Sequence, residues 1–395
     1  ISGDVEFPFP LLAAWRRWLL LAWFSFHSAC NQFMFCNFSG VPDISMHVLG
    51  IDETQLDFVY TVGLMACVPT IFVYMLFLTS NSHYWMSMVG VVATVLSGWL
   101  RVWSVVRGSY TVTLVASVCL GIGGAMVNAG FTDIPARWFP RGEQALAGAL
   151  SVQIPFFGWA LGTIVVPLVA KSDGALTQLL FIQAIVASAA VPGVALALPS
   201  SRDPSTMCEF CHFGSELLSQ ISAVQPEVPE NKCVTLVRSV GLLLRSPRYL
   251  ILGTAIALLQ AVAFTIPAAQ PVVLGHRGLS VVRCAVLGFL FMMSGVCVGI
   301  MLGLARLEGR RAKGVLLALF WISAAATLLI WTRVDVNSPV FLEAAVVLSL
   351  TGGCALGFID LGLLQVCEAA PGVPETVAGC AVEAAALLLT TLVTQ

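Results

Sequence analysis

The stretch Ala136-Arg137-Trp138-Phe139-Pro140-Arg141-Gly142-Glu143 is a short basic segment between two long apolar runs. A weaker copy of it, Cys367-Glu368-Ala369-Ala370-Pro371-Gly372-Val373-Pro374-Glu375, follows in the second half of the chain. One constant offset pairs Pro140 with Pro371, and the same offset pairs a glycine in each of the two helices that follow. Parallel repeats of a helical membrane bundle are common among secondary transporters, so this repeat predicts a duplicated transporter fold.

The composition is that of a membrane protein. Of the 395 residues, 58% are hydrophobic and 10% are charged, which leaves too little polar surface to cover a soluble protein of this size. The net charge of -2 provides no basic field for nucleic acid. We therefore predict the lipid bilayer and a small-molecule substrate as partners, and a monomer. Sequence patterns of ATP hydrolysis and of membrane hydrolases are absent, so we predict neither an enzyme nor a cofactor or metal.

Eleven apolar runs are long enough to cross about 30 Å of hydrocarbon, which takes roughly 20 residues. They lie at about 18–38, 58–79, 84–105, 110–134, 144–170, 176–198, 249–274, 281–305, 314–332, 340–364 and 376–395. Six of them precede the long polar stretch in the middle of the chain, and five follow it. The predicted fold is therefore an all-α polytopic membrane protein of two halves.

The polar stretch divides the chain into three predicted parts. Residues 1–199 form an N-terminal six-helix bundle, 200–248 a linker with an amphipathic helix, and 249–395 a C-terminal bundle of which five helices are seen. Because the chain starts with Ile and its last apolar run is cut off, we expect a fragment that lacks one helix.

Lys and Arg are distributed unequally between the two sides of these spans. Thirteen of the 19 fall on the side that holds the amino terminus, Arg137, Arg141 and the linker, and six fall on the other. Since cytoplasmic loops retain positive charge, we predict a cytoplasmic amino terminus and a cytoplasmic linker. The sequence leaves open whether the membrane is the plasma membrane or that of an organelle.

Several motifs resemble those of one family. They are Arg17-Trp18, Phe24-Ser25, Leu56-Asp57-Phe58-Val59-Tyr60, Gly98-Trp99-Leu100-Arg101-Val102-Trp103-Ser104, Trp138-Phe139 and Gly158-Trp159-Ala160-Leu161-Gly162. On these motifs the chain resembles the feline leukaemia virus subgroup C receptor-related family of the major facilitator superfamily. The resemblance implies two pseudo-symmetric six-helix bundles around a cavity that opens alternately to each side. It also implies substrates such as choline, ethanolamine or haem.

The chain departs from this family where the family's choline carriers contact their ligand. The resemblance puts these positions at Phe35, Phe156, Thr265 and near Ala386 and Leu387. Only Phe35 keeps the aromatic character of the family's residue. The resemblance therefore supports the fold and the transport class, and it leaves choline itself open.

Amide and aromatic side chains recur in the first, fifth and seventh spans, which line the cavity in this fold. They are Gln32, Phe35, Gln153, Phe156, Gln260, Phe264 and Thr265. Glu383 lies about two turns into the eleventh span without a base nearby in sequence, so it must face a cavity, pair across helices or carry a proton. Aromatic rings with amides and one carboxylate suit an organic cation through cation–π attraction. The alternative is that each Phe only packs against lipid or a neighbouring helix.

Charged residues near the predicted cytoplasmic ends suggest an inner gate. Asp133 and Arg137 are four residues apart on one helical face, which predicts an ion pair. Glu368 occupies the position in the repeat that corresponds to Arg137. We predict that Arg137 and Arg141 approach Glu368 and Glu375 when the inner side is closed. A purely structural ion pair is the alternative.

Three further polar features need an explanation. His27 has Asn31 one turn along the same face, and we expect either a hydrogen bond between them or a contact with a proton or haem. The stretch Cys208-Glu209-Phe210-Cys211-His212 matches a haem-attachment pattern, which makes His212 another candidate for haem contact. Arg101 lies between two tryptophans, and we expect it to reach the membrane interface.

The sequence favours a carrier that moves a choline- or ethanolamine-like cation by alternating access. Two alternatives stay open. The cysteine and histidine pattern of the linker favours haem transport on the same fold. The loop after the second span lacks the superfamily's Gly, Asp and Arg signature, which together with the altered ligand positions favours a membrane receptor or sensor that does not transport.

Overall fold

Helices make up nearly all of the chain that the structure describes. The computed structural model describes residues 11–78, 83–197, 232–275, 279–307, 309–334, 341–370 and 372–393. These residues form α1 (Leu11–Ser39), α2 (Pro42–Leu49), α3 (Glu53–Leu78), α4 (His83–Arg107), α5 (Tyr110–Trp138), α6 (Arg141–Val169), α7 (Asp173–Ser188), α8 (Ala190–Ala197), α9 (Lys232–Arg245), α10 (Pro247–Gly275), α11 (Val281–Ala305), α12 (Gly309–Val334), α13 (Phe341–Glu368) and α14 (Glu375–Val393). The all-α prediction is confirmed.

Capping residues set several helix ends. The Ser109 hydroxyl accepts a hydrogen bond from the Val112 amide at the start of α5, and the Ser172 hydroxyl accepts one from the Ala175 amide at the start of α7. After α2, Gly50 has a φ of 64°, which most side chains disfavour. These turns lie at the end of the bundle that carries α2, called the α2 end below.

The opposite end of the bundle is where α5, α11 and α13 end and where α6, α12 and α14 begin. The turns between these helices line one common cavity, which Ala136, Arg306 and Glu368 border. We call it the Arg137 end. The sequence stretch that repeats in the two halves therefore lies at one and the same end of the molecule.

Ten helices of the described chain are long and apolar enough to cross a membrane. They correspond to ten of the eleven predicted spans, and α7 and α8 together form the sixth, Asp173–Ala197. The first predicted span, α1, has 29 residues but is not among the ten. Its polar side chains lower its hydropathy, and His27, Asn31 and Gln32 are buried within the bundle. Burial against other helices therefore explains how this less apolar helix is accommodated.

The polar stretch between the halves is described only from Lys232 onward. There α9 forms where an amphipathic helix was predicted, with Leu243 buried and Val237 and Leu244 exposed. The division into parts at 199 and 248 stays a prediction.

Small residues let the two halves of the chain approach closely. A Cβ atom on Gly303 of α11 would overlap Ala149 of α6, and one on Gly379 of α14 would overlap Thr132 of α5. Glycine is favoured at membrane helix interfaces because it lets backbones come close. Side chains from both halves consequently meet along the centre of the molecule.

Candidate binding site

Four aromatic rings from four helices meet at the centre. The Trp159 ring of α6 stacks on Phe264 of α10, with centroids 5.1 Å apart, and on Phe35 of α1 at 6.2 Å. Tyr60 of α3 meets Phe35 edge-on at 6.0 Å, and its hydroxyl donates a hydrogen bond to the Phe264 carbonyl oxygen at 3.3 Å. We call these four residues the aromatic cage. Because Phe264 belongs to the second half of the chain, the cage joins the two halves.

A small cavity lies against the aromatic cage. Its lining residues are Gln32, Phe35, Leu64, Cys67, Gly124, Asn128, Trp159, Phe264 and Leu387. Its volume is about 10 Å³, roughly enough for one water molecule. The cage is therefore closed in this conformation, and a larger ligand requires the rings to separate.

A buried carboxyl–amide pair lies one turn from the cage. Gln260 Nε2 donates a hydrogen bond to Glu383 Oε2 at 2.6 Å, and both side chains are 0% exposed. The amide oxygen of Gln260 and the second carboxyl oxygen of Glu383, Oε1, have no hydrogen-bond partner within the described chain. Gln260 precedes Phe264 by one turn of α10, and Glu383 precedes Leu387 by one turn of α14. The pair therefore lies beside the cage, on the side of the Arg137 end.

The other predicted binding residues divide into two groups. Gln32 lines the small cavity, and the Phe156 ring lies 5.9 Å from that of Phe264 at the edge of the cage. Gln153 instead donates from Nε2 to the Leu356 carbonyl oxygen of α13 at 3.2 Å, and Thr265 is not among the lining residues. The expected convergence of an amide from each of three spans consequently does not include Gln153.

Sequence reasoning missed two members of the cage, Tyr60 and Trp159. Both belong to motifs that carry the family resemblance, yet neither was proposed for binding. A signal was present for Trp159, since it follows Phe156 by three residues and so shares its helical face.

Asp133 is the centre of a hydrogen-bonded group nearer the Arg137 end. Arg137 Nε lies 2.5 Å from Asp133 Oδ1, so the predicted ion pair is present. The Thr376 hydroxyl of α14 donates to the same oxygen at 3.0 Å, and the Tyr74 hydroxyl of α3 donates to Asp133 Oδ2 at 3.5 Å. We call these four residues the latch. Since Thr376 belongs to the second half of the chain, the latch also joins the halves.

The acidic residues of the predicted inner gate are placed differently from the expectation. Glu368 accepts a hydrogen bond at 2.8 Å from Gln365 Nε2 of its own helix, and Glu375 is exposed. The predicted approach of Arg137 to Glu368 is therefore not made in this conformation, and Thr376 provides the contact between the halves. Arg141 begins α6, but its side chain lies outside the described part of the structure.

The expected hydrogen bond between His27 and Asn31 is absent. Asn31 Nδ2 donates to the Thr94 hydroxyl at 2.9 Å and to the Leu120 carbonyl oxygen at 3.1 Å. His27 is 1% exposed, and neither ring nitrogen has a partner in the described chain. His27 also does not line the small cavity, while His212 and its cysteines lie outside the described residues.

The expectation that Arg101 reaches the membrane interface is wrong. Arg101 is 3% exposed; its guanidinium donates to the Met34 carbonyl oxygen and lies 5.2 Å from the centre of the Phe38 ring. Its two flanking tryptophans, Trp99 and Trp103, are exposed instead. Arg101 therefore joins α4 to α1 within the bundle.

A bundle of membrane-spanning helices with a buried polar and aromatic site between two halves is the architecture of a secondary transporter. The model of the Major Facilitator Superfamily matches residues 18–382, and the chain belongs to this family. The chain is thus that of an integral multi-pass membrane protein of a transporter family.

Relatives and solved structures agree with this assignment. The chain is 22% identical to the human choline/ethanolamine transporter FLVCR2 over 152 residues, 38% of this chain and 29% of the relative. It is 24% identical to the cat choline/ethanolamine transporter FLVCR1 over 165 residues, 42% of this chain and 30% of the relative. The matched segments thus cover less than a third of these relatives.

The fold itself is similar to that of solved sugar transporters. A crystal structure of a D-xylose-proton symporter has a TM-score of 0.63 at 13% identity, with 97% of this chain and 89% of that chain covered. The proton:xylose symporter XylE bound to 6-bromo-6-deoxy-D-glucose has a TM-score of 0.66 at 14% identity, with 96% and 88% covered. At such low identity these structures support the fold alone.

Proposed function

We propose that the protein carries an organic ammonium compound of the choline or ethanolamine class by alternating access. The observation that carries this proposal is the aromatic cage with the Glu383–Gln260 pair one turn away. Aromatic faces attract a cation, and a carboxyl group beside them provides the opposite charge. The chain's similarity to relatives named as choline/ethanolamine transporters supports the same class of substrate.

The closed cage suggests how the cation is enclosed. A cation that enters must separate Trp159 from Phe35 and Phe264, because the present cavity holds about one water molecule. Glu383 Oε1 has no partner in the described chain and is available to the cation. Closure of the rings around an ammonium group then replaces the ring-to-ring contacts by cation–π contacts.

We further propose that the latch gates the Arg137 end, and that this end faces the cytoplasm. Opening this end requires that the Thr376 hydroxyl leave Asp133. Closing it further would bring Arg137 and Arg141 toward Glu368 and Glu375, as the repeat of the sequence suggests. The cage lies farther from this end than the latch, so it stays sealed while the latch holds.

Uptake by the purified chain in proteoliposomes tests the proposal. We expect labelled choline or ethanolamine, but not D-xylose, to enter the vesicles. Trp159→Leu removes one aromatic face worth roughly 2 kcal/mol in a desolvated site, so affinity should fall about 30-fold. Trp159→Phe should retain most of it, and Trp99→Leu, at a tryptophan 41% exposed, should change nothing.

The carboxyl group is tested in the same assay by Glu383→Gln, which keeps the shape and removes the charge. We expect at least a tenfold loss of affinity for the ammonium compound. If none of these compounds is bound or transported, the proposed substrate class is wrong. Binding without uptake would favour the receptor alternative over a carrier.

A further inference from the structure

A second, larger cavity lies between the cage and the Arg137 end. It is lined by residues of α5, α6, α11 and α13 and by the first residues of α12 and α14, and its volume is about 660 Å³. Ligand sites of small molecules commonly measure about 300–1,000 Å³. Of these two cavities, this one has room for an organic cation in the present conformation.

The carboxyl group of Asp360 faces this cavity. Asp360 lies on α13, is 9% exposed, and makes no hydrogen bond or ion pair with any described residue. The residue of α6 opposite Asp360 is Gly148, which has no side chain to pair with the carboxyl group. A Cβ atom added there would lie 3.7 Å from Asp360 Oδ1. An ionisable group within a spanning helix is costly unless something pairs with it. No described residue pairs with Asp360, so a ligand in the cavity could provide the missing partner.

The charges around the cavity favour a positive ligand. Among its described lining residues three are acidic, Asp360, Glu368 and Glu375, and one is basic, Arg306. Arg306 is in the turn after α11, where its φ of 45° lies in the left-handed region, and it makes no ion pair with Asp360. The described lining of the cavity therefore has a net acidic charge that its one basic residue does not balance.

We infer that Asp360 and this cavity form a second binding station for an organic ammonium ion, distinct from the aromatic cage and closer to the Arg137 end. The carboxylate would pair with the ammonium group, while Phe131, Val152 and Leu361 pack against its alkyl groups. This inference rests on the proposed function, because it takes the same class of substrate. A cation that leaves the closing cage toward this end would meet Asp360 next.

The test is equilibrium binding of labelled choline to the purified full chain in detergent, with the number of sites per chain as the readout. We expect two sites in the unaltered protein. Asp360→Asn should weaken one of them at least tenfold and leave the other unchanged, whereas Trp159→Leu should weaken the other. Asp43→Asn, at an exposed carboxyl group at the α2 end, is the matched control and should leave both sites intact.

The outcomes separate the inference from the proposed function. If choline binds at only one site per chain, and Trp159→Leu abolishes this binding while Asp360→Asn leaves it unchanged, the second binding station is wrong and the cage site stands. No choline binding by the unaltered chain overturns both. If Asp360→Asn weakens both sites, the variant Asp360→Glu decides. Restored choline binding in Asp360→Glu supports a role of the negative charge. A loss of binding as large as in Asp360→Asn, in a protein that is still folded, contradicts the inference.

Discussion

The pair of Gln260 and Glu383 permits a quantitative test by a double-mutant cycle. Gln260→Leu removes the hydrogen-bond donor of a carboxyl group that is 0% exposed. A hydrogen bond to a charged group contributes about 1.5–3 kcal/mol, and an unsatisfied buried group costs about 1–3 kcal/mol. Because these two contributions overlap, we expect the free energy of unfolding to fall by about 3 kcal/mol.

The reverse single variant and the double variant complete the cycle. Glu383→Leu leaves only a neutral amide without its partner, so its cost should be about 2 kcal/mol. In the double variant no polar group is left unsatisfied at this position, and replacing both partners by apolar groups of similar shape is often nearly neutral. We therefore expect the double variant to be within about 1 kcal/mol of the unaltered protein.

The measurement is reversible unfolding in mixed micelles, followed by helix content. The two single losses exceed the loss of the double variant by about 4–5 kcal/mol, which is the expected coupling free energy and lies above the roughly 0.5–3 kcal/mol usual for residues in direct contact. Gln178→Leu, on the exposed face of α7, is the matched control and should change stability by less than about 0.5 kcal/mol. If the double variant loses as much stability as the two single variants together, the 2.6 Å contact does not couple the two helices.

Two further variants test the packing and the latch. Gly158→Val would force a side chain into the backbone of α1 and should lower the free energy of unfolding by about 1–3 kcal/mol or more, the cost of overpacking. Gly174 has open space around it, so Gly174→Val should cost far less in the same thermal unfolding measurement. Thr376→Val removes the hydroxyl that bonds to Asp133, so the buried Cys380 one turn along α14 should react several-fold faster with a thiol reagent, as followed by peptide mass spectrometry.

The Thr376 variant has a control within the chain. The Thr327 hydroxyl bonds to the Ser323 carbonyl oxygen of its own helix, and Thr327→Val removes a hydroxyl without touching the latch. The labelling rate of Cys380 should then be unchanged. Equal rates in all three proteins would mean that the contact between Thr376 and Asp133 does not hold this end closed.

The fold was largely predictable because lipid imposes a simple requirement on sequence. A helix that faces hydrocarbon must be apolar over its length, so the spans appear as long runs, and ten of the eleven were confirmed. The exception, α1, shows the limit of this reasoning. Its polar groups are sheltered by other helices, and hydropathy cannot show which partner a helix will find.

The binding site was less predictable because the rotation of each helix about its axis depends on its neighbours. Gln153 and Phe156 lie three residues apart, yet the amide contacts α13 while the ring reaches the cage. Glu383 and Gln260 stand out in the sequence because such residues are rare within spans. Their mutual contact, however, joins two residues that are 123 positions apart in the chain. Sequence alone contains no information on that register.

Arg101 illustrates an error that helical geometry alone would have prevented. Trp99 and Trp103 are four residues apart and share one face of α4, which the structure exposes. Arg101 lies two residues from each, about 200° around the helix, and so must point to the opposite side. The proximity of the three residues in sequence suggested a common interface, whereas the period of 3.6 residues separates them.

The arrangement along α14 suggests how a single helix can link the latch to the cage in the proposed carrier. Thr376 contacts the latch, Glu383 contacts Gln260 two turns farther on, and Leu387 lines the cage cavity one turn beyond. A helix that is hydrogen-bonded throughout transmits a tilt along its whole length, so a movement that frees Thr376 also displaces Glu383 and Leu387. On the proposed function, release of the latch and repacking of the cage are therefore coupled geometrically, as the proposed alternating access requires.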